Sequence, residues 1–314
     1  MKTGCLMKRK SGLNYGPKKT GFILSILIYP LALFLVFYVY INFNSFIMAF
    51  QKFDIYGNKT FYGAENFKSF LLKLFAGEGM LVSISVKNSI LMYLINLIIC
   101  MPLYVLFSYM LFKRCFLHKT IRFLVMIPQV VSSFVLCLLF KNFTGGALPD
   151  LMGLLGVENF PNLLRDVKYM FGTSLFYMIW ISFSGSLIVY PNAMNEIDNG
   201  VVESAQIDGV RNMFQELFYI ILPLIYPTMS TFLITGFAGI FLNCGPLIEF
   251  YLYDADTSIY NVGYYFITQV MTGSTIAYPE LAAGGLILTF ISAPLTYLVR
   301  FLLNKIDPLE DDKL

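Results

Sequence analysis

The sequence predicts an all-α protein that crosses a membrane six times, and three observations carry that expectation. Of the 314 residues, 57% are apolar and 13% charged, about half the charged share of a soluble domain. Mean hydropathy is positive, at +0.69. The charge is concentrated in short patches between apolar stretches of roughly 20 residues, each long enough to cross a hydrocarbon core about 30 Å thick. A helix is the form such a stretch must take, because a lone strand in lipid leaves its amides unpaired and these runs lack the alternation of a barrel. This make-up excludes a soluble enzyme, a secreted disulfide scaffold and a nucleic-acid reader. Cys5, Cys100, Cys115, Cys137 and Cys244 form no CxxC pair. They read as small apolar residues, neither a metal site nor a disulfide frame.

The spans are expected at about 21–41, 88–112, 121–140, 173–190, 217–242 and 281–303. The first follows a basic leader, residues 1–20, with Lys2, Lys8, Arg9, Lys10, Lys18 and Lys19. It is too long for the apolar core of a secretory signal and no small-x-small cleavage site follows, so it reads as an uncleaved anchor. Between the second and third spans lie Lys113, Arg114, Lys119 and Arg122; Arg300 lies near the end of the sixth, and the tail 304–314 adds Lys305 and Lys313. With Arg211 and the leader, fourteen Lys and Arg fall on the side of both termini against eight on the other, which puts both termini in the cytoplasm. The outer loops are long, at 42–87, 141–172 and 243–280. The last has no Lys or Arg, and its aromatic stretch 260–271 is expected to lie against the membrane surface or to fold back between helices.

A search for catalytic parts returns absences. The sequence has no GxxxxGK[ST] with which to bind ATP, no GxSxG and no HExxH, and its single histidine, His118, falls in a short basic turn that suits a solvated residue. Almost no ionisable side chains fall within the spans, which disfavours a proton- or sodium-coupled carrier and an anion pore. The spans carry neutral hydrogen-bonding and aromatic groups instead: Asn96, Gln129, Ser132, Ser133, Tyr177, Trp180, Ser182, Ser184, Ser186, Thr231, Thr235 and Asn243. Each alone reads first as a helix-packing residue. As a set they suit a neutral polyhydroxylated ligand, whose hydroxyls want neutral partners and whose C–H faces want rings.

The one sizeable inner loop, 191–216, is acidic, with Glu196, Asp198, Glu203, Asp208 and Glu216 against Arg211. Its stretch 195–208 has few breakers and stops at Gly209. Two short helices joined by a left-handed Gly209 would leave a low surface at Ser204 and Ala205 for a partner. Glu203 and Asp208 would offer carboxylates to that partner's basic groups. The alternative is a solvated amphipathic linker.

The run Glu203-Ser204-Ala205-Gln206-Ile207-Asp208-Gly209, then Phe214, Phe218 and Ile220-Ile221-Leu222-Pro223, resembles the EAA loop of ABC-importer permeases, E-A-A-x3-G-x9-I-x-L-P. Ser204 replaces the first Ala, and the step from Gly209 to Ile220 is one residue longer than the pattern, a change able to shift the loop relative to the next span. Tyr29-Pro30, Phe61-Tyr62-Gly63-Ala64-Glu65-Asn66-Phe67, Ile127-Pro128 and Phe232-Leu233-Ile234-Thr235-Gly236-Phe237 extend the similarity over nearly the whole chain, toward the maltose-transporter type of sugar permease.

The resemblance implies a type I ABC-importer permease fold over 21–303. In it, Glu203, Ser204, Ala205, Asp208, Gly209, Phe214, Leu222 and Pro223 couple the loop at 191–216 to an ATPase subunit. It implies a multi-pass protein of a bacterial plasma membrane, working with a second homologous permease, an ATPase dimer and an extracellular solute-binding protein. ATP and magnesium would bind the ATPase, and this chain would bind no cofactor and catalyse no bond chemistry. The expected cargo is a neutral sugar or oligosaccharide, with Tyr177, Trp180, Ser184 and Asn243 along its path. An amino acid, a polyamine or glycerol phosphate is the alternative cargo, and a sensor that transports nothing is the alternative class.

Overall fold

The computed structural model describes residues 17–75, 80–157 and 160–308. The leader up to Gly16, with Lys2, Cys5, Lys8, Arg9 and Lys10, and the tail beyond Pro308, with Lys313, lie outside the described residues. Six helices are long and apolar enough to cross a membrane: Gly21–Ala49, Leu81–Phe112, Ser133–Leu154, Val167–Asn195, Met213–Ala238 and Thr275–Ile306. The chain is a multi-pass membrane protein.

Helix α1, residues 17–49, is continuous, with a wide π turn at Phe34–Tyr40. It outruns the expected end at 41 because Ile41–Ala49 is itself apolar, and its Asn42 and Ser45 side chains bond back to the carbonyls of Tyr38 and Ile41. A hairpin follows, β1 (Gln51–Phe53) antiparallel to β2 (Lys59–Phe61), and then α2 (Glu65–Phe75). Together these cap the end of the bundle away from the loop at 191–216. Asn66 donates to the carbonyls of Ala49 and Gln51 at 2.8 and 2.7 Å, while Lys73 pairs with Glu280 at 2.5 Å.

Helix α3, residues 80–112, carries a second π turn at Asn96–Cys100. The third crossing is not one helix. Helix α4 (His118–Val130) and α5 (133–154) are parted by extended residues Val131 and Ser132, with ψ of 141° and 133°. Pro128, three residues earlier, lacks the amide that would bond back into the helix. Both pieces nevertheless pack antiparallel to α6 (Val167–Asn195). Arg122 donates to Asn192 at 3.3 Å, Ser184 donates to the Val125 carbonyl, and Cys137 donates to Tyr177 at 3.0 Å. The two pieces therefore make the crossing expected at 121–140, and α5 continues beyond it to Leu154.

Helix α7 (Asn199–Ile207) lies in the acidic loop at 191–216, and α8 (213–238) is the fifth span. After α8 the chain folds back between helices, the second of the two placements expected for 260–271. Short α9 (Leu247–Tyr251) and α10 (Val262–Thr272) build the core at the end of the bundle away from α7, with Leu247, Phe250, Ile259, Val262 and Tyr264 buried. Asn88 of α3 donates to the carbonyls of Ser258 and Tyr260, both at 2.8 Å, and Ser89 accepts from the Val262 amide at 2.9 Å. A Cβ at Gly263 would come 2.7 Å from the Leu242 carbonyl oxygen, so the approach of α10 to the end of α8 needs glycine. In the connecting turn, hydrogen bonds from the Ser258 hydroxyl and amide hold the Asp256 carboxyl below its ordinary value.

The last helix, α11 (Tyr278–Ile306), returns along α8, where Tyr226 donates to the Leu303 carbonyl at 2.8 Å. Ring contacts join the half of the bundle nearer α7: Phe183 of α6 meets Tyr104 and Phe107 of α3 at 5.3 and 5.2 Å, and Tyr190 meets Phe232 of α8 at 5.6 Å. The described chain begins and ends at the end of the bundle that bears α7.

Candidate functional site

The acidic loop is a pair of helix ends facing each other across a tight turn. Helix α7 begins at Asp198, whose side chain accepts from the Gly200 amide at 3.0 Å, a standard N-cap. It ends with Gly209 at φ +107°, where the Gly209 amide donates to Gln206 at 3.3 Å and the Val210 amide to Ala205 at 3.0 Å. That is the Schellman pattern, which places glycine in the left-handed position. Asn212 then opens the next helix in a reciprocal box with Gln215, satisfying amides at both positions. This helix runs without a break into the fifth span, so the second half of the loop and α8 are one rod.

The extra residue between Gly209 and Ile220 is taken up by a π turn at Leu217–Ile221. A π turn absorbs one inserted residue without breaking the helix, so Leu222 and Pro223 continue α8 in register. Both are half-buried and set the course of the rod.

Glu203, Ser204, Asp208 and Phe214 are exposed, and beside them Ile207 and Met213 are 86% and 62% exposed. Apolar side chains that open, next to carboxylates and beyond the spans, form a surface suited to a protein partner. Ala205 departs from the expectation. It is buried with Val202, because residues three apart on a helix share a face and this face is turned to the bundle. The low outward surface is therefore Ser204 with its exposed neighbours. Glu216 also turns inward: it is 6% exposed and meets Lys113 Nζ at 2.5 Å.

Two adjoining lobes of a cavity lie between the helices, away from this loop. The first, about 410 Å³, is lined by Ser89, Tyr93, Asn96, Tyr104, Ser182, Ser186, Tyr190, Thr235, Asn243 and Asn261, with Met92, Met178 and Phe232 among the apolar groups. From Ser89 to Tyr104, α3 advances about 22 Å, most of the hydrocarbon thickness. The second lobe, about 450 Å³, is lined by Gln129, Val131 and Ser133 at the break of the third crossing, and by Cys137, Tyr177 and Glu249. Met178, Ser182 and Asn243 border both lobes.

Of the four residues expected along a path, Asn243 lines both lobes, its Oδ1 accepting from the Gly245 amide at 2.8 Å. Tyr177 lines the second lobe, its hydroxyl accepting from Cys137. Ser184 and Trp180 do not line either. Ser184 is 2% exposed and spends its hydroxyl on the Val125 carbonyl, while Trp180 points out of the bundle at 42% exposure. The helix explains this: α6 shows the cavity residues 178, 182 and 186 on one stripe, and 180 and 184 lie about 200° away from it. Ser89, Tyr93, Tyr104, Tyr190, Asn261 and Glu249 were missed. For Ser89, Tyr93 and Asn96 a signal existed, since steps of four and three keep them on one face of α3.

No family model matches the chain. It is 29% identical over 136 residues to the galactooligosaccharides transport system permease protein GanP of Bacillus subtilis (strain 168), spanning 42% of this chain and 31% of the relative's length. It is 24% identical over 257 residues to the polygalacturonan/rhamnogalacturonan transport system permease protein YteP of the same organism, spanning 76% of this chain and 77% of that one. Its fold matches a chain of a bacterial ABC transporter involved in import of the acidic polysaccharide alginate, with a TM-score of 0.75 at 19% identity over 92% of this chain and 97% of the other. The alginate transporter in complex with an alginate pentasaccharide-bound periplasmic protein gives the same TM-score of 0.75, at 18% identity over 92% and 96%. The chain therefore shares its fold along almost its full length with a chain of an ABC importer, and it is related in sequence to two transport-system permeases.

Proposed function

We propose that the chain is one of two permeases in an ATP-driven importer of a bacterial plasma membrane, and that it passes inward a neutral sugar or oligosaccharide delivered by an extracellular binding protein. The exposed surface of Glu203, Ser204, Ile207, Asp208 and Phe214 is the part an ATPase subunit grips. One observation carries this reading: the helix that starts at Met213 is continuous with α8, and α8 supplies Phe232, Leu233, Thr235 and Gly236 to the cavity wall. A push on the loop therefore moves the wall of the cavity. ATP and magnesium belong to the ATPase subunits, and the permease contributes no catalytic step and binds no cofactor. The loop and both termini face the cytoplasm, in line with the excess of Lys and Arg at that end.

The cavity's amides, hydroxyls and rings match the donors, acceptors and C–H faces of a sugar, and its length suits an extended chain. In the assembled complex, Glu203→Arg is expected to abolish uptake while leaving membrane insertion intact. Wild-type uptake by that variant would remove the docking role. Extraction in mild detergent should bring down an ATPase, which a sensor protein would not. Labelling of a cysteine placed at position 204 from the outside of intact cells would overturn the orientation.

A further inference from the structure

We propose that Glu249 sets the charge preference of the cavity: its carboxylate accepts hydrogen bonds from the hydroxyls of an uncharged sugar chain and repels a chain that carries carboxylates. The inference rests on the transport reading above and narrows its substrate class. By sequence, Glu249 belongs to an outer loop. The fold-back of 243–280 instead brings it, on α9, to the wall of the second lobe beside Cys137, Tyr177 and Asn243.

Its Oε2 is shut away from solvent and has no hydrogen-bond donor among the described residues. No protein group therefore offsets the charge on that side of the carboxylate; Glu249 as a whole is only half-buried and lines the lobe, so its open side is left for a ligand hydroxyl and a charge-assisted bond. Among the described residues lining the two lobes, Glu249 is the one charged side chain. No Lys or Arg lines either lobe among the described residues; the Lys141 ammonium lies outside the lining and donates to the Phe250 carbonyl at 3.0 Å. In a site of low dielectric, like charges a few ångströms apart repel strongly. Exchanging the C6 hydroxymethyl of a hexose for a carboxylate thus turns a hydrogen-bond donor into an opponent of Glu249.

The test is uptake by the complete reconstituted importer of galactose oligomers and galacturonate oligomers of equal length, which differ at C6. Any selection by the binding protein is common to wild type and variant, so the change in the uptake ratio reports on this residue. Glu249→Gln keeps the shape and removes the charge; it should raise the galacturonate-to-galactose ratio at least tenfold and lower galactose-oligomer uptake several-fold. Glu249→Asp should keep the wild-type ratio. A ratio in Glu249→Gln within twofold of wild type overturns the proposal while leaving the transport reading standing. A wild-type importer that takes up no oligosaccharide, neutral or acidic, and whose ATPase none stimulates, overturns both.

Discussion

Lys113 and Glu216 join α3 to the first turns of α8 across 2.5 Å at the end of the bundle that bears α7, with Glu216 only 6% exposed. The Lys113 ammonium also lies 5.9 Å from the ring centres of Tyr109 and Phe112, a distance at which cation and ring attract. Both helices line the cavity further out. The pair therefore ties two walls of the cavity to each other next to the loop, and a displacement of the loop is shared between them.

Removing one member leaves the other without its counter-charge. For Lys113→Met the expected loss is about 2–3 kcal/mol, below the full figure for a buried pair because the Lys113 side chain keeps 26% of its exposure. The double variant Lys113→Met with Glu216→Met should recover part of it. Melting temperatures of the detergent-solubilised protein will rank the three; a double variant no more stable than Lys113→Met would mean that the charges do not act on each other.

Gly209 holds φ at +107°, a conformation that costs a residue with a Cβ about 1–2 kcal/mol. Gly209→Ala should therefore loosen the turn between α7 and α8, and Gly209→Asn should do so less, since asparagine tolerates the left-handed region. Uptake should fall in the order glycine, asparagine, alanine, proline. Equal uptake by the alanine and asparagine variants would show that the turn's geometry does not limit coupling.

Because the π turn at Leu217–Ile221 holds one residue more than a regular turn, deleting the exposed Tyr219 should convert it to ordinary α-helix and leave the flanking register unchanged. Expression and uptake are expected within about twofold of wild type. Deleting one residue from the regular helix instead, at Ser230, rotates all that follows by about 100° and should abolish uptake. Similar loss in both deletions would refute the view that the turn absorbs an insertion.

How far the sequence discloses this arrangement depends on which physical signal each part leaves. Apolar length is a strong signal, so six crossings were legible, and the stop of α7 at Gly209 was legible because one residue type suits that conformation. The break at Val131 and Ser132 was hidden, since neither residue is a breaker and Pro128 lies three residues back. The inward turn of Ala205 was hidden too: small residues suit a docking surface and a packed face equally. The cavity was half legible. Asn96, Ser182, Ser186, Thr235 and Asn243 belong to the neutral polar set, but choosing Trp180 and Ser184 required knowing which stripe of α6 faces inward. Glu249 left no signal, because a carboxylate in a stretch without cations reads as an outer-loop residue until the fold-back is known.

That fold-back hangs on Asn88, which donates from one amide nitrogen to the carbonyls of both Ser258 and Tyr260 at 2.8 Å and is itself 8% exposed. Asn88→Ala deletes both bonds and leaves two acceptors short, at about 1–3 kcal/mol for buried groups. Asn88→Asp is nearly the same shape, yet an ionised aspartate has no donor to offer, so its oxygens face two carbonyl oxygens and repel them. The aspartate variant should therefore melt lower than the alanine variant, although it changes fewer atoms. Because Ser89 and Asn261, which sit beside this anchor, line the outer end of the cavity, uptake should fall with stability in both. Should the aspartate variant prove as stable as wild type, Asn88 is not the anchor, and the Ser89 contact to the Val262 amide must hold the segment in place.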